Sequence, residues 1–358
     1  MSANRESPSL WLWAARPVKV MVSGAVHARY DRIIVTAVTA RVPAKVNLQL
    51  SVGPPRADGY HDLVTVFHAL ALFDEVTVAP AETDSVRVSG EGAASVPLGR
   101  GNLAARAVAA LTNAVGAGCR DEPGVAIEIR KRIPVAAGLA GGSADAAAAL
   151  VACNELWGTG LSQQELAEVA GRVGSDVAFA LLGGTAIGLG RGEQVTPALV
   201  YGTYHWVLAF AAEQLSTPAV YAACDRLRAA QARDESGRTG QPAARPWAAP
   251  EVSTALMAAL RGGDPAEVGP LLVNDLQPAA ISLLPRLRQA LAAGREHGAL
   301  GAIVSGSGPT CAYLARDGAH ARDLAVALTS AGVCRSVVSV TGPAPGATVL
   351  SPAADHRR

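Results

Sequence analysis

The chain has 358 residues, of which 50% are hydrophobic and 17% charged. That balance excludes a disordered chain, and no uncharged run reaches the length of a membrane-spanning helix. Lysine and arginine number 31 against 30 acidic residues, so a net charge of +1 offers no global field to nucleic acid or anionic lipid.

The length suits two ordinary domains. With only 4% aromatic residues, core volume has to come from aliphatic side chains and closely packed Ala- and Gly-rich helices. The five cysteines form no CxxC pair and the seven histidines have no zinc-type spacing. Both point to reduced thiols in the cytoplasm and no structural metal.

Residues 1–36 differ from the rest. Trp11-Leu12-Trp13 is too short an apolar knot for a signal peptide, and the stretch reads as a poorly ordered extension or an over-called translation start. From Val42 to Val52 the apolar residues fall on even positions, which predicts a half-buried strand with Lys45 and Asn47 on its non-core side. A turn-like stretch, 53–59, leads to Tyr60-His61, and β-like sequence follows around Val64–Leu72 and Val76–Val78. Asn102 is placed to cap a helix running to about Val115. An alternating strand, Val125–Arg130, then feeds a glycine-rich loop and an Ala-rich helix over Ala144–Leu156.

Ser162-Gln163-Gln164-Glu165 is a capping-box pattern, and Ser175 is expected to cap a short helix beside Asp176. Strands are expected at Gly184–Gly190 and Trp206–Ala211. Arg228–Pro250, rich in Ala, Arg, Gly and Pro, reads as a mobile surface insertion. Asp264-Pro265 opens further helix, broken at Pro278 and Pro285. The end reads strand, Gly turn, strand, helix, strand: Ala302–Val304, Ser305–Gly308, Thr310–Leu314, Ala319–Ala331 and Ser336–Val340. Such mixed order favours α+β over a doubly wound parallel sheet. The expected division is 37–200, 201–345 and a tail, 346–358.

The loop Gly138-Leu139-Ala140-Gly141-Gly142-Ser143 carries the strongest chemical signal. Glycines between a strand and a helix let backbone N–H groups converge at a positively polarised helix N-terminus, which is a phosphate cradle. No Gly-Lys-[Ser/Thr] follows, so it is not a Walker A loop, and its spacing is wrong for a dinucleotide fingerprint. Taken singly, Lys45, Asp176, Tyr60, His61 and Gly306-Ser307-Gly308 read as ordinary surface, cap and turn residues.

Together they resemble a family. Pro43-Ala44-Lys45-Val46-Asn47-Leu48, Pro134–Ala146 and Ser305–Thr310 stand in the order of the three motifs of the GHMP kinases, and the resemblance spans about residues 40 to 340. That superfamily includes galactokinase, homoserine kinase and mevalonate kinase. The segment Arg56-Ala57-Asp58-Gly59-Tyr60-His61-Asp62-Leu63 resembles its branch that phosphorylates a cytidine-diphosphate-linked methylerythritol in non-mevalonate isoprenoid synthesis. Val173-Gly174-Ser175-Asp176-Val177-Ala178-Phe179 resembles the catalytic-aspartate segment of that branch.

The resemblance implies a two-domain α+β kinase with its active site in the interdomain cleft. It implies ATP with Mg²⁺ carried on it, and a small-molecule acceptor bearing cytidine diphosphate. Neither a nucleic-acid nor a membrane partner is implied; a cytoplasmic monomer or homodimer is. Asp176 would take the proton from the acceptor's 2-hydroxyl, and Lys45 would hold Asp176 ionised and orient the hydroxyl. Around the nucleotide would lie Pro134, Gly138, Leu139, Ala140, Gly141, Gly142, Ser143 and Ala144, with Asn102 near the adenine. Tyr60 and His61 would stack on and hydrogen-bond the cytosine, and Tyr221 would close its other side. Asn47 and the Gly306-Ser307-Gly308 turn would contact the rest of the acceptor.

Two positions depart from the motifs. Ala140 replaces a frequent glycine, which matters if the position needs a positive φ, and Pro309 stiffens the third loop. Two other readings are open on the same scaffold: a GHMP kinase for a different acceptor, against which Tyr60-His61 argues, and a catalytically silent nucleotide-binding regulator, against which intact Lys45 and Asp176 argue.

Overall fold

Two long strands organise the first half of the protein. β1 (Val38–Pro55) and β2 (His61–Ala81) pair antiparallel, with register shifts at Pro43/Ala44, Asn47/Gln49 and Val52/Pro55. Such bulges re-aim side chains where they occur. The computed structural model describes residues 37–116, 118, 123–239 and 249–350. The extension 1–36 and Cys119 lie outside the described residues.

β3 (Ser85–Gly90), α1 (Leu103–Val115), β4 (Gly124–Lys131), α2 (Gly141–Leu156), α3 (Gln163–Val173) and α4 (Ser175–Leu182) follow. After them come β5 (Thr185–Leu189), β6 (Gln194–Pro197), β7 (Tyr204–Phe210), α5 (Thr217–Thr239), α6 (Thr254–Gly262) and α7 (Pro265–Val268). The last described elements are β8 (Val273–Asn274), α8 (Gln277–Leu283), α9 (Arg286–Glu296), β9 (Gly301–Val304), β10 (Cys311–Ala315), α10 (Gly318–Ser330), β11 (Ser336–Gly342) and β12 (Thr348–Leu350).

One sheet runs β12-β1-β2-β4-β3, with β5 joined to β2, β6 joined to β5 and β8 joined to β1; the other runs β11-β7-β10-β9. The architecture is α+β, as the order of elements predicts. Among the described residues no helix is long and apolar enough to cross a membrane.

The scarcity of large side chains shows in α2. Ala146 to Ala149 and Leu150 are all fully buried, so the middle of the helix is enclosed on every side and its small residues let it lie close to β1 and β2. Larger side chains there would overpack the core at about 1–3 kcal/mol each. The second sheet buries Tyr313, whose hydroxyl donates to the Ala290 carbonyl at 2.8 Å. α9 can pass over that ring only because position 294 is glycine: a Cβ there would stand 2.1 Å from the tyrosine.

Four local expectations are corrected. The β-like stretches after His61 form a single strand, because the 60s and 70s pair continuously with β1 despite its bulges. Ser175 is the first residue of α4 and Gly174 its N-cap, with no side-chain cap bond. In the stretch read as a mobile insertion, Arg228–Thr239 continues α5; residues 240–248 lie outside the described residues. Of the expected tail, Thr348–Leu350 pair antiparallel with Thr39–Arg41 of β1, returning the C-terminal end to the first sheet.

Candidate active site

The non-core side of β1 is not solvent-facing. Lys45, Asn47 and Gln49 are only 6%, 2% and 3% exposed. A strand's i, i+2 periodicity puts Lys45 and Asn47 side by side, and the loops at 138 and 306 cover them. Lys45 Nζ donates to Asn47 Oδ1 at 2.7 Å and to the Gly138 carbonyl at 3.2 Å, and stands 3.7 Å from Asp176 Oδ2. Asn47 Nδ2 in turn donates to Thr65 Oγ1 at 2.8 Å, and that hydroxyl donates to the Gln49 carbonyl at 2.8 Å. Burial draws the Lys45 ammonium below the ordinary lysine value, and the Asp176 carboxylate offsets only part of that pull.

Asp176 sits in the first turn of α4. It, Lys45 and Asn47 line a cleft of about 780 Å³, within the range of small-molecule sites. On one wall are Gly138, Ala140 and the first three residues of α2, Gly141, Gly142 and Ser143. Their N–H groups precede the first i→i−4 bond, which runs from the Ala144 N–H to the Ala140 carbonyl at 2.9 Å. Gly138 has φ 78°, and a Cβ on it would stand 2.1 Å from the Ser305 carbonyl. Contact between the second and third motif loops is enough to require glycine there.

That contact is reinforced. Ser305 Oγ donates to the Gly138 carbonyl at 3.0 Å, and Asn274 Nδ2 donates to the carbonyls of Val304 and Gly306 at 2.8 and 2.7 Å. Ser307, which lines the cleft with Gly306, shares a 2.9 Å hydroxyl–hydroxyl bond with Thr217.

The far end of the cleft is aromatic. Tyr60 is 54% exposed at the mouth, while His61 is buried with its ring centroid 5.1 Å from that of Tyr221. His61 Nε2 is 3.0 Å from Asp225 Oδ1. Burial pushes the Tyr221 phenol above the usual tyrosine range.

Five expected site residues do not line the cleft. Asn102 caps α1: its Oδ1 accepts from the Ala104 and Ala105 N–H groups, and its Nδ2 donates to the Pro97 carbonyl. Leu139 and Ala144 point into the core, although the Leu139 carbonyl accepts the Lys45 N–H at 3.3 Å. Pro134 lines a separate cavity, and Gly308 turns the third loop behind Ser307. Motif reading missed Thr65, Thr217, Asp225, Arg191 and Asn274. Asp225 alone had a signal, since it lies one helical turn after Tyr221 on α5.

Ala140 caps α2 in the left-handed region, φ 58°. An L side chain there costs about 1–2 kcal/mol, more than the roughly 0.5–1 kcal/mol of entropy that glycine loses on folding. Ala140→Gly is expected to raise stability by up to about 1 kcal/mol in urea unfolding; a loss of stability would show that the methyl's packing outweighs its strain.

A buried lysine against a carboxylate, facing the free N–H groups of a glycine-started helix, is the arrangement of a phosphotransferase. The sequence matches the N-terminal domain of the GHMP kinases over residues 102–184 and their C-terminal domain over 256–334. It is 52% identical over 320 residues to the 4-diphosphocytidyl-2-C-methyl-D-erythritol kinase of Nocardia farcinica, covering 89% of this chain and 98% of that one. Against the Thermobifida fusca enzyme of the same name it is 53% identical over 323 residues, 88% of this chain and 99% of the other. A crystal structure of 4-(cytidine 5'-diphospho)-2C-methyl-D-erythritol kinase superposes with TM-score 0.65 at 33% identity, over 84% of this chain and 98% of that one. Homoserine kinase from Cytophaga hutchinsonii, 20% identical, shares the fold with TM-score 0.66 over 90% and 99% of the two chains.

The protein is a small-molecule kinase with both GHMP domains. Within that class, it belongs to the family of 4-diphosphocytidyl-2-C-methyl-D-erythritol kinases.

Proposed function

We propose that this kinase transfers the γ-phosphoryl group of ATP to the 2-hydroxyl of 4-diphosphocytidyl-2-C-methyl-D-erythritol, with Asp176 as general base. The observation that carries the proposal is the Lys45–Asp176 pair, 3.7 Å apart, in a cleft with helix N–H groups at one end and a Tyr60–His61–Tyr221 cluster at the other.

An alcohol is a poor nucleophile at neutral pH. Asp176 accepts the hydroxyl proton as the oxygen attacks the γ-phosphorus and the bond to the ADP oxygen breaks. Lys45, held by Asn47 and the Gly138 carbonyl, keeps a positive charge beside that carboxylate and the reacting oxygen. The N–H groups of Gly141, Gly142 and Ser143 receive phosphate oxygens, favoured by the helix macrodipole. Mg²⁺ is a hard cation that prefers oxygen, and the oxygens of Ser143, Ser175 and Asp176 line the cleft where the triphosphate would bring it. When bound, it neutralises charge on the transferred group. Tyr60 supplies an exposed face for the cytosine, worth about 1–3 kcal/mol, and His61 with Tyr221 forms the floor.

The test is ADP release with Mg-ATP across a panel of acceptors: the cytidylylated methylerythritol, methylerythritol 4-phosphate, mevalonate, homoserine and galactose. Turnover confined to the cytidylylated compound is expected. Turnover with another acceptor would keep the Lys45–Asp176 chemistry and overturn the substrate; ATP binding with silence toward every acceptor would favour a nucleotide-binding regulator.

A further inference from the structure

Between the two ends of the cleft lies a turn, Gly190-Arg191-Gly192, that belongs to none of the motifs. Its place is fixed from both sides. The Gly190 carbonyl accepts the Leu63 N–H at 2.7 Å, two residues beyond His61. On the other side, a Cβ built on Gly192 would be 3.9 Å from the Cβ of Ser175, the neighbour of Asp176, and 3.5 Å from the Phe67 ring. The turn is held tight by the Glu193 carboxylate, which accepts the Arg191 N–H at 2.7 Å.

Arg191 lines the cleft with its guanidinium carbon 5.0 Å from the Tyr60 ring centroid. Lys45, the other Lys or Arg among the described residues lining the cleft, stands beside Asp176. Arg191 has no carboxylate partner among the described residues. Stacking on Tyr60 occupies a face of the guanidinium and leaves its edge N–H groups to donate, the geometry that suits a phosphate.

We propose that Arg191 binds the diphosphate that joins the cytidine to the methylerythritol, and so sets the preference for a nucleoside-diphosphate ester over a free nucleoside. The inference rests on the substrate proposed above. In that molecule the base and the reacting hydroxyl are its two ends, and the diphosphate must run between them. The Arg191 turn is attached both to the segment carrying Tyr60 and His61 and to the segment carrying Asp176. It supplies a cation beside Tyr60 on a turn tied to both segments, where two or more negative charges have to be accommodated.

The experiment measures binding of CDP and of cytidine by calorimetry, and KM for ATP and for the cytidylylated acceptor, in the wild-type protein, Arg191→Gln and Arg191→Lys. Charge-assisted hydrogen bonds of this kind correspond to roughly 10–100-fold in affinity. Arg191→Gln is expected to weaken CDP toward the affinity of cytidine and to raise the acceptor KM by about that factor, while the KM for ATP stays within about twofold; Arg191→Lys recovers part of the loss. If Arg191→Gln still prefers CDP over cytidine as the wild type does, or if ATP is the ligand that weakens, the inference is overturned. Wild-type protein that fails to bind CDP at all would overturn the proposed substrate as well, so the two failures are told apart by the wild-type measurement.

Discussion

Asp176→Asn is expected to lower kcat by about 10²–10⁴-fold while the acceptor still binds. The side chain is 30% exposed and sits in the first turn of α4, so the isosteric amide should fold without difficulty. What it removes is the ability to accept a proton. Lys45 keeps its bonds to Asn47 and the Gly138 carbonyl, so the pocket does not collapse around the missing charge. Calorimetric affinity for the cytidylylated acceptor should therefore change far less than the single-turnover rate. Retention of most of the turnover would remove Asp176 from the base's role and leave it as a positioning group for Lys45. A parallel fall in affinity and rate would instead mean that the carboxylate mainly organises the acceptor.

The chemistry-bearing segments were legible in the sequence because each obeys a local rule. Alternation over Val42–Val52 placed Lys45 next to Asn47; Asn102, Ser162 and Asp264 announced helix starts, and each does cap its helix. The same alternation misled about burial. A polar residue at every second position ordinarily faces water, yet here two loops more than 90 residues away cover that face, as the Lys45 bond to Gly138 at a separation of 93 shows. Nothing local could foretell that closure. Asn102 stands outside the cleft for the opposite reason: its Oδ1 is taken by the capping role that the sequence does show, and its Nδ2 by the Pro97 carbonyl. Arg191 was invisible because a Gly-Arg-Gly turn carries no chemical pattern until the fold sets it between Tyr60 and Ser175. Ala140 was legible only as a condition, a departure that matters if φ is positive; at 58° the condition is met.

Beneath the glycine-rich turn lies a second ionic group, of which only Asp145 falls within a motif, and Lys131→Met should be the most destabilising of the substitutions named. Lys131 Nζ donates to Asp74 Oδ2 at 2.5 Å and to Asp145 Oδ2 at 2.7 Å, with all three side chains almost fully buried. Asp74 also accepts the N–H groups of Arg132 and Ile133 at 2.5 and 2.8 Å, whereas Asp145 Oδ1 has no hydrogen-bond partner among the described residues. Removing the cation leaves the buried Asp74 carboxylate without its counter-charge beside Asp145, a loss of about 3–5 kcal/mol against a total stability of about 5–15 kcal/mol. Burial alone would pull the Lys131 ammonium down, but Asp145 and Asp74 together outweigh it and hold it above the ordinary lysine value. Asp145 is pushed up to about 8, by burial first; Lys131 opposes the rise and the charge on Asp74 adds to it. The folded protein therefore keeps a proton that the unfolded chain has released once pH passes the ordinary aspartate range. By linkage, this group's contribution to stability is present in full below the ordinary aspartate range, declines as pH rises from there toward about 8, and is gone above it. Asp145→Asn, which keeps the shape and carries N–H groups in place of the shared proton, should flatten that decline. It should also soften Lys131→Met in the double variant, which keeps the comparison measurable if the single variant does not fold. Urea unfolding at several pH values reads both effects. A Lys131→Met protein as stable as the wild type, or an unchanged pH profile in Asp145→Asn, would show that water reaches the triad. Because Asp145 lies in the second turn of α2, five residues into the helix that begins with Gly141–Ser143, the ion group also ties the N–H groups of that helix start to β2 and β4. A folded variant lacking Lys131 should accordingly bind ATP more weakly than it binds the acceptor.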